Sequence, residues 1–82
     1  MSKVRIYDNG GKTADRYTAV YMDRRNRSGL YDARGMSANP FHPQGVGMYC
    51  TAAPGGHLGR RIPFDWLPAD CQRLVLSDLG EA

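Results

Sequence analysis

The stretch VRIYDNGGKTADRYTAVYM, residues 4–22, decides the fold, because it holds both the most suggestive motif in the chain and the clearest strand pattern. Gly11, Lys12 and Thr13 match the closing letters of a phosphate-binding loop, GxxxxGK[ST], whose backbone amides wrap phosphates ahead of a helix. The match ends there. The position five before Gly11 is Ile6, inside the alternating run Val4, Arg5, Ile6, Tyr7, which predicts a strand with Val4 and Ile6 on one face. Tyr17 to Met22 predicts a second strand, with Tyr17, Ala19 and Tyr21 on one side and Thr18, Val20 and Met22 on the other. The segment between them therefore reads as a turn centred on Asn9 and Gly10, residues that tolerate positive φ. Asp15 and Arg16 beside it read as ion-pairing groups of the framework.

Outward from this hairpin, the polar, arginine-rich segment Asp23 to Ser28 predicts a connection to a short strand around Leu30 to Ala33, giving an antiparallel meander. From Gly35 to Gly59, three prolines and six glycines predict a long loop in which only Val46 to Thr51 can form a strand. Phe41, Met48 and Tyr49 are its expected anchors. Ile62 and Phe64 flank Pro63 and suit a sheet edge, where a missing donor is tolerated. A helix follows: Asp65 as cap, Pro68 at the first helical position, Asp70 in the first turn and Gly80 just past the end. Leu67, Cys71, Leu74, Val75 and Leu79 recur at spacings of three and four and form one apolar stripe. The reading is a single α+β domain over residues 1–82: a small twisted antiparallel sheet of three to five strands, one C-terminal helix packed on it, and a long Gly/Pro-rich loop.

Composition agrees with a folded chain: 82 residues, 41% hydrophobic and 23% charged. A chain this short buries only about 60–65% of its unfolded surface, so the core must be thin. No apolar run reaches the roughly 18 residues a membrane span needs, and Met1 to Arg5 lacks a secretory apolar segment, so no membrane partner and a cytoplasmic location are expected. Cys50 and Cys71 read as reduced, buried thiols. Charge is uneven. Ten basic residues face four acidic ones through Arg61, whereas Arg73 alone faces Asp65, Asp70, Asp78 and Glu81 beyond it. Such asymmetry suits a basic surface for an acidic partner.

Arg24, Arg25 and Arg27 gather at one turn, and the guanidinium fork matches phosphate or carboxylate in two-point contact. With Arg60 and Arg61 on the same side, the five would form one basic patch, and Tyr31 or Tyr49 would add base stacking. Asn39, His42 and Gln44 in the long loop complete the expected contact set for a partner or a phosphate. His42, Cys50, His57 and Cys71 are chemically able to bind zinc, but they lie at least six residues apart, unlike the close pairs of zinc motifs. No metal, no cofactor and no catalytic residue is expected. A histidine-based nuclease would need His42 or His57 as base, with Arg60 or Arg61 holding phosphate.

Three stretches, DNGGKTADRYT, MSANPFHPQG and GRRIPFDWLPADCQ, covering about half the chain, resemble a group of short uncharacterised proteins encoded by bacteriophages and other mobile elements. Cys71 departs from that pattern. The resemblance implies an accessory protein that binds, and usually inhibits, a host or defence protein complex in the bacterial cytoplasm. The expected function is thus non-catalytic binding of such a factor, or of a small nucleotide ligand, through the basic turn and the long loop. The alternatives are a DNA- or RNA-binding protein using the arginines, and a small nuclease. A homodimer joined through sheet edges or faces is also expected, because so small a sheet leaves an edge open.

Overall fold

The computed structural model describes residues 3–80. Five strands, β1 (Val4–Asp8), β2 (Tyr17–Arg25), β3 (Tyr31–Met36), β4 (Gly47–Ala52) and β5 (Arg60–Ile62), form one antiparallel sheet in the order β4-β3-β2-β1-β5, and helix α1 (Ala69–Asp78) follows. The α+β architecture is the one the residue pattern predicts. Val4 pairs with Tyr21 and Ile6 with Ala19, so the alternation of both strands delivers their apolar residues to the same side. There Val4, Ile6, Tyr17, Ala19, Tyr21, Met36 and Ile62 meet Leu67, Cys71 and Val75 in the main core, with Leu74 and Leu79 packed against it. The predicted helical stripe is the one that closes over the sheet.

The second face is covered too. β4 and β5 lie at opposite edges, so the segment 53–59 between them must cross the whole sheet. It does so on the side away from α1, where Tyr7, Val20 and Ala33 are buried beneath Leu58 together with Met22, Tyr31, Cys50 and Ala52. This strap fits closely at its far end. Gly59 has φ 115°, and a Cβ there would lie 2.3 Å from the carbonyl oxygen of Asp8.

Several boundaries differ from the sequence reading. β2 runs on to Arg25, past a register shift after Val20, so Arg24 and Arg25 are strand residues and the turn shrinks to Asn26–Gly29. The Asn26 side-chain oxygen, accepting from Ser28 and Leu30 amides at 3.0 and 3.1 Å, fixes that turn. β3 continues through Gly35 to Met36, paired with Thr18 and Tyr17 on one side and with Met48 and Gly47 on the other, and Asp15 packs where a side chain at Gly35 would stand. The supposed single loop from Gly35 to Gly59 is a hairpin loop (37–46), strand β4 and the strap. Phe41, Met48 and Tyr49 are exposed and do not anchor it; the hairpin loop is held by the Ser37 amide bonding to Val46 O at 2.9 Å and by the Cys71 thiol donating to Ser37 O at 3.1 Å. Asp65 is not the helix cap. It lies in a 3-10 turn, Phe64–Trp66, and Pro68 is the N-cap, its carbonyl accepting the first helical bond from Gln72 at 3.0 Å. Gly80, with φ 76°, ends the helix as expected.

Candidate functional site

The glycine turn offers no phosphate cradle. Its Gly10 amide donates to Asp8 Oδ1 at 2.8 Å, and the Gly11 and Lys12 amides donate to Asn9 Oδ1 at 2.8 and 3.0 Å. Arg16 pairs with Asp8 at 2.8 Å, and not with its neighbour Asp15, which accepts from Thr13. The donors a phosphate would need are already spent on the turn itself.

Arg24 and Tyr49 belong to a network that fastens the C-terminal end of α1 to the sheet. Arg34 grips Asp78 with both prongs of its guanidinium, at 2.9 and 2.5 Å, and the Tyr21 hydroxyl donates to the same carboxylate. Arg24 donates to the Asp78 carbonyl at 2.6 Å and to the Tyr49 hydroxyl at 3.0 Å, and that hydroxyl donates to Asp32 at 3.2 Å. The Tyr21 and Tyr49 rings stack with centroids 6.2 Å apart, and the Arg24 and Arg34 guanidiniums lie over them. Burial pushes the Asp78 carboxyl up, but hydrogen bonds from Arg34 and Tyr21 and the charges of Arg34 and Arg24 outweigh it and hold the group below its ordinary range. Burial, with Asp78 beside it, drives the Tyr21 hydroxyl well above its ordinary value.

The remaining arginines do not gather as one patch with Arg24. Arg60 pairs with Asp8 and Arg61 with Tyr7, at the far end of β1 from Arg25. Alternation assigns them to different faces: Arg60, in register with Ile6 and Asp8, lies on the helix side over Trp66, and Arg61 lies with Tyr7 on the strap side. Arg25 opposes Tyr31, half-buried in the strap-side cluster, and so shares that side. Lys3 and Arg5 join it, being opposite in phase to Val4 and Ile6 along β1. Arg27 is exposed in the adjoining turn. Lys3, Arg5, Arg25, Arg27 and Arg61 form no ion pair among the described residues, whereas Asp8, Asp32, Asp70 and Asp78 belong to the helix side or are paired there. The acidic exceptions are Asp15, which lies over Gly35 on β3, and Asp23, exposed on β2 two residues before Arg25.

Lys3 and Arg5 were missed from sequence although the signal was present, since a strand that buries Val4 and Ile6 must turn them the other way. Asn39, His42 and Gln44 are exposed in the hairpin loop, where they serve its own geometry: the His42 amide donates to Asn39 O at 3.1 Å and the Gln44 amide to His42 Nδ1 at 3.1 Å. They do not converge with the arginines of the strap side. Cys50 and Cys71 belong to the two opposite cores, and among the described residues no group of three metal-ligating side chains comes together. A groove of about 710 Å³ opens beside β5, walled by Val4, Ile6, Ile62 and Phe64, with Arg61 and Asp65 as its charged groups. Its wall places no nucleophile beside a base.

Comparison with protein-family models, curated proteins and solved structures finds no match. Fold and surface together define a class: a small α+β domain, one five-stranded sheet between a helix and a strap, with free positive charge gathered on the strap side. No helix among the described residues is long and apolar enough to cross a membrane.

Proposed function

We propose that this chain is a non-catalytic binding protein whose strap-side surface takes a polyanion, with the phosphate backbone of DNA or RNA as the partner its chemistry fits best. One observation carries this reading: among the described residues Lys3, Arg5, Arg25, Arg27 and Arg61 form no ion pair and lie on or next to one face, which has only Asp15 and Asp23 close by, whereas the other described carboxylates are on the helix side. Unpaired cations held on a rigid sheet attract phosphates and release their counterions. The contact is sequence-tolerant, because of the tyrosines of that face Tyr7 is buried and Tyr31 half-buried against the strap-side cluster, which leaves no open pair of rings as a stacking platform.

Anisotropy titrations of labelled single- and double-stranded DNA and RNA test this. Five phosphate contacts give a log–log salt slope of about −3.5 to −4.5, and each cation removed reduces it by roughly one. Arg25→Ala with Arg61→Ala should weaken all sequences alike, and Arg24→Ala should lower stability while leaving the slope unchanged. No binding to any of the four at low salt would reject the reading. The missing stacking platform favours one second reading, an acidic protein surface such as a host or defence factor, as the phage-protein resemblance implies. That partner would be bound by the same cations with no affinity for free nucleic acid.

A further inference from the structure

The two edges of the sheet are built differently. β5 is three residues long, carries Arg60 and Arg61 and runs into Pro63, all features that discourage strand addition. β4, GMYCTA, is six residues long and has no charge, no proline and no irregularity in its register with β3. Its Met48 and Tyr49 are 60% and 44% exposed. The Ser37–Val46 bond fixes the phase of the β3–β4 ladder, so Met48, Cys50 and Ala52 bond inward to β3, and the N–H and C=O groups of Gly47, Tyr49 and Thr51 point away from the sheet. Gly47 O accepts from Arg34 at 3.2 Å and keeps a second lone pair.

We propose that the outer edge of β4 pairs antiparallel with β4 of a second copy of this chain, about a two-fold axis through Tyr49. Of the symmetric registers, this one uses all three outward residues: Tyr49 opposes the partner's Tyr49, and Gly47 opposes the partner's Thr51. The side chains complement each other, with Met48 opposite the smaller Cys50 and Gly47 opposite Thr51. The strip itself is uncharged, Arg34, which lies over Tyr49 and bonds Gly47 O, comes to the seam already paired with Asp78, and every outward donor meets an acceptor. A two-fold perpendicular to the sheet keeps like faces together, so the product is one ten-stranded sheet with two helices on one side and two straps on the other. The pairing rests on the edge alone and does not depend on what the basic surface binds.

Sedimentation velocity over a concentration series should show a species of twice the 9.1 kDa chain mass. Thr51→Pro removes an N–H that the chain does not use within its own sheet, so circular dichroism should be unchanged while the dimer dissociation constant rises roughly thirtyfold for two lost interchain bonds. Met48→Cys gives a second measurement on a folded background. At this non-hydrogen-bonded pair, the new thiol faces the partner's Cys50, and mild oxidation with diamide should yield a covalent dimer that Met48→Cys with Cys50→Ser does not. A wild type that stays monomeric at the highest concentration, a Thr51→Pro variant as dimeric as wild type, or no covalent dimer from Met48→Cys would overturn the proposal.

Discussion

Asp78 stands where the helix dipole disfavours a carboxylate, in the last turn of α1. What offsets this is two arginines from the sheet, Arg34 on its oxygens and Arg24 on its carbonyl, together with the Tyr21 hydroxyl. The pair is mostly shielded, with side chains 8% exposed for Asp78 and 17% for Arg34. Asp78→Asn leaves the Arg34 charge without its partner and should cost about 3 kcal/mol at neutral pH. The pH dependence has a definite sign. Because the folded carboxyl titrates below its ordinary value near 3.9, the unfolded chain binds the proton first, and this stabilisation is lost as pH falls through the folded value. Denaturation midpoints of wild type and variant should therefore be well separated at pH 7 and converge as pH falls through the folded carboxyl's lowered value; an unchanged gap would place the effect elsewhere. Nothing in the order of residues announces this cluster. Arg34 and Asp78 are far apart in the chain, and each alone reads as an ordinary solvated charge until the sheet register turns Arg34 toward α1.

At the scale of elements, the strands that alternate and the helix that repeats every three to four residues were legible because one buried face imposes a period. The glycine-rich stretches were not, since glycine signals that the backbone departs from the ordinary without saying where it goes. Gly10 and Gly59 show the difference. Both have positive φ, yet a Cβ at Gly10 meets nothing within 4 Å, whereas at Gly59 it would strike the backbone of Asp8 and Asn9. Gly10→Ala should cost about 1 kcal/mol, the backbone penalty alone. Gly59→Ala adds a clash with a strand that cannot retreat and should cost about 3 kcal/mol or more. Thermal unfolding of the two variants side by side checks this, and equal losses would mean that the strap is free to lift off β1. The candidate surface was legible in part for the same reason. Arg25, Arg27 and Arg61 stood out as charges, and the alternation of Val4 and Ile6 already turned Lys3 and Arg5 to the same side, but only the register shift in β2 and the pairing of β5 with β1 remove Arg24 and Arg60 to the helix side.

For the whole molecule, the balance between size and coverage governs what it can do. Its radius of gyration, 11.6 Å, matches the roughly 12 Å expected of a compact chain of this length. With so few residues, a sheet normally leaves one face wet, but here a helix and a strap cover both, and neither layer is thick. The surfaces left uncovered are accordingly the basic rim around the strap, the groove beside β5 and the outer edge of β4. The excess of unpaired cations on the strap side also gives the molecule an electrostatic asymmetry that would orient it toward the polyanion proposed above.

The crossing from β4 to β5 also sets an order of events in time. The β1–β2, β2–β3 and β3–β4 pairs each close a short turn, so the meander can zip locally, whereas Ile6 meets Ile62 only after nearly the whole chain has been collected. Such a closure carries a larger entropic cost and comes late. Pulse-labelled hydrogen exchange during refolding should protect the amides of β2 and β3 first and those of Arg60 and Ile62 with α1 last, and simultaneous protection would contradict it. The last pairing made is also the one that seals both cores at once, so this small protein acquires its two hydrophobic layers in a single concluding step.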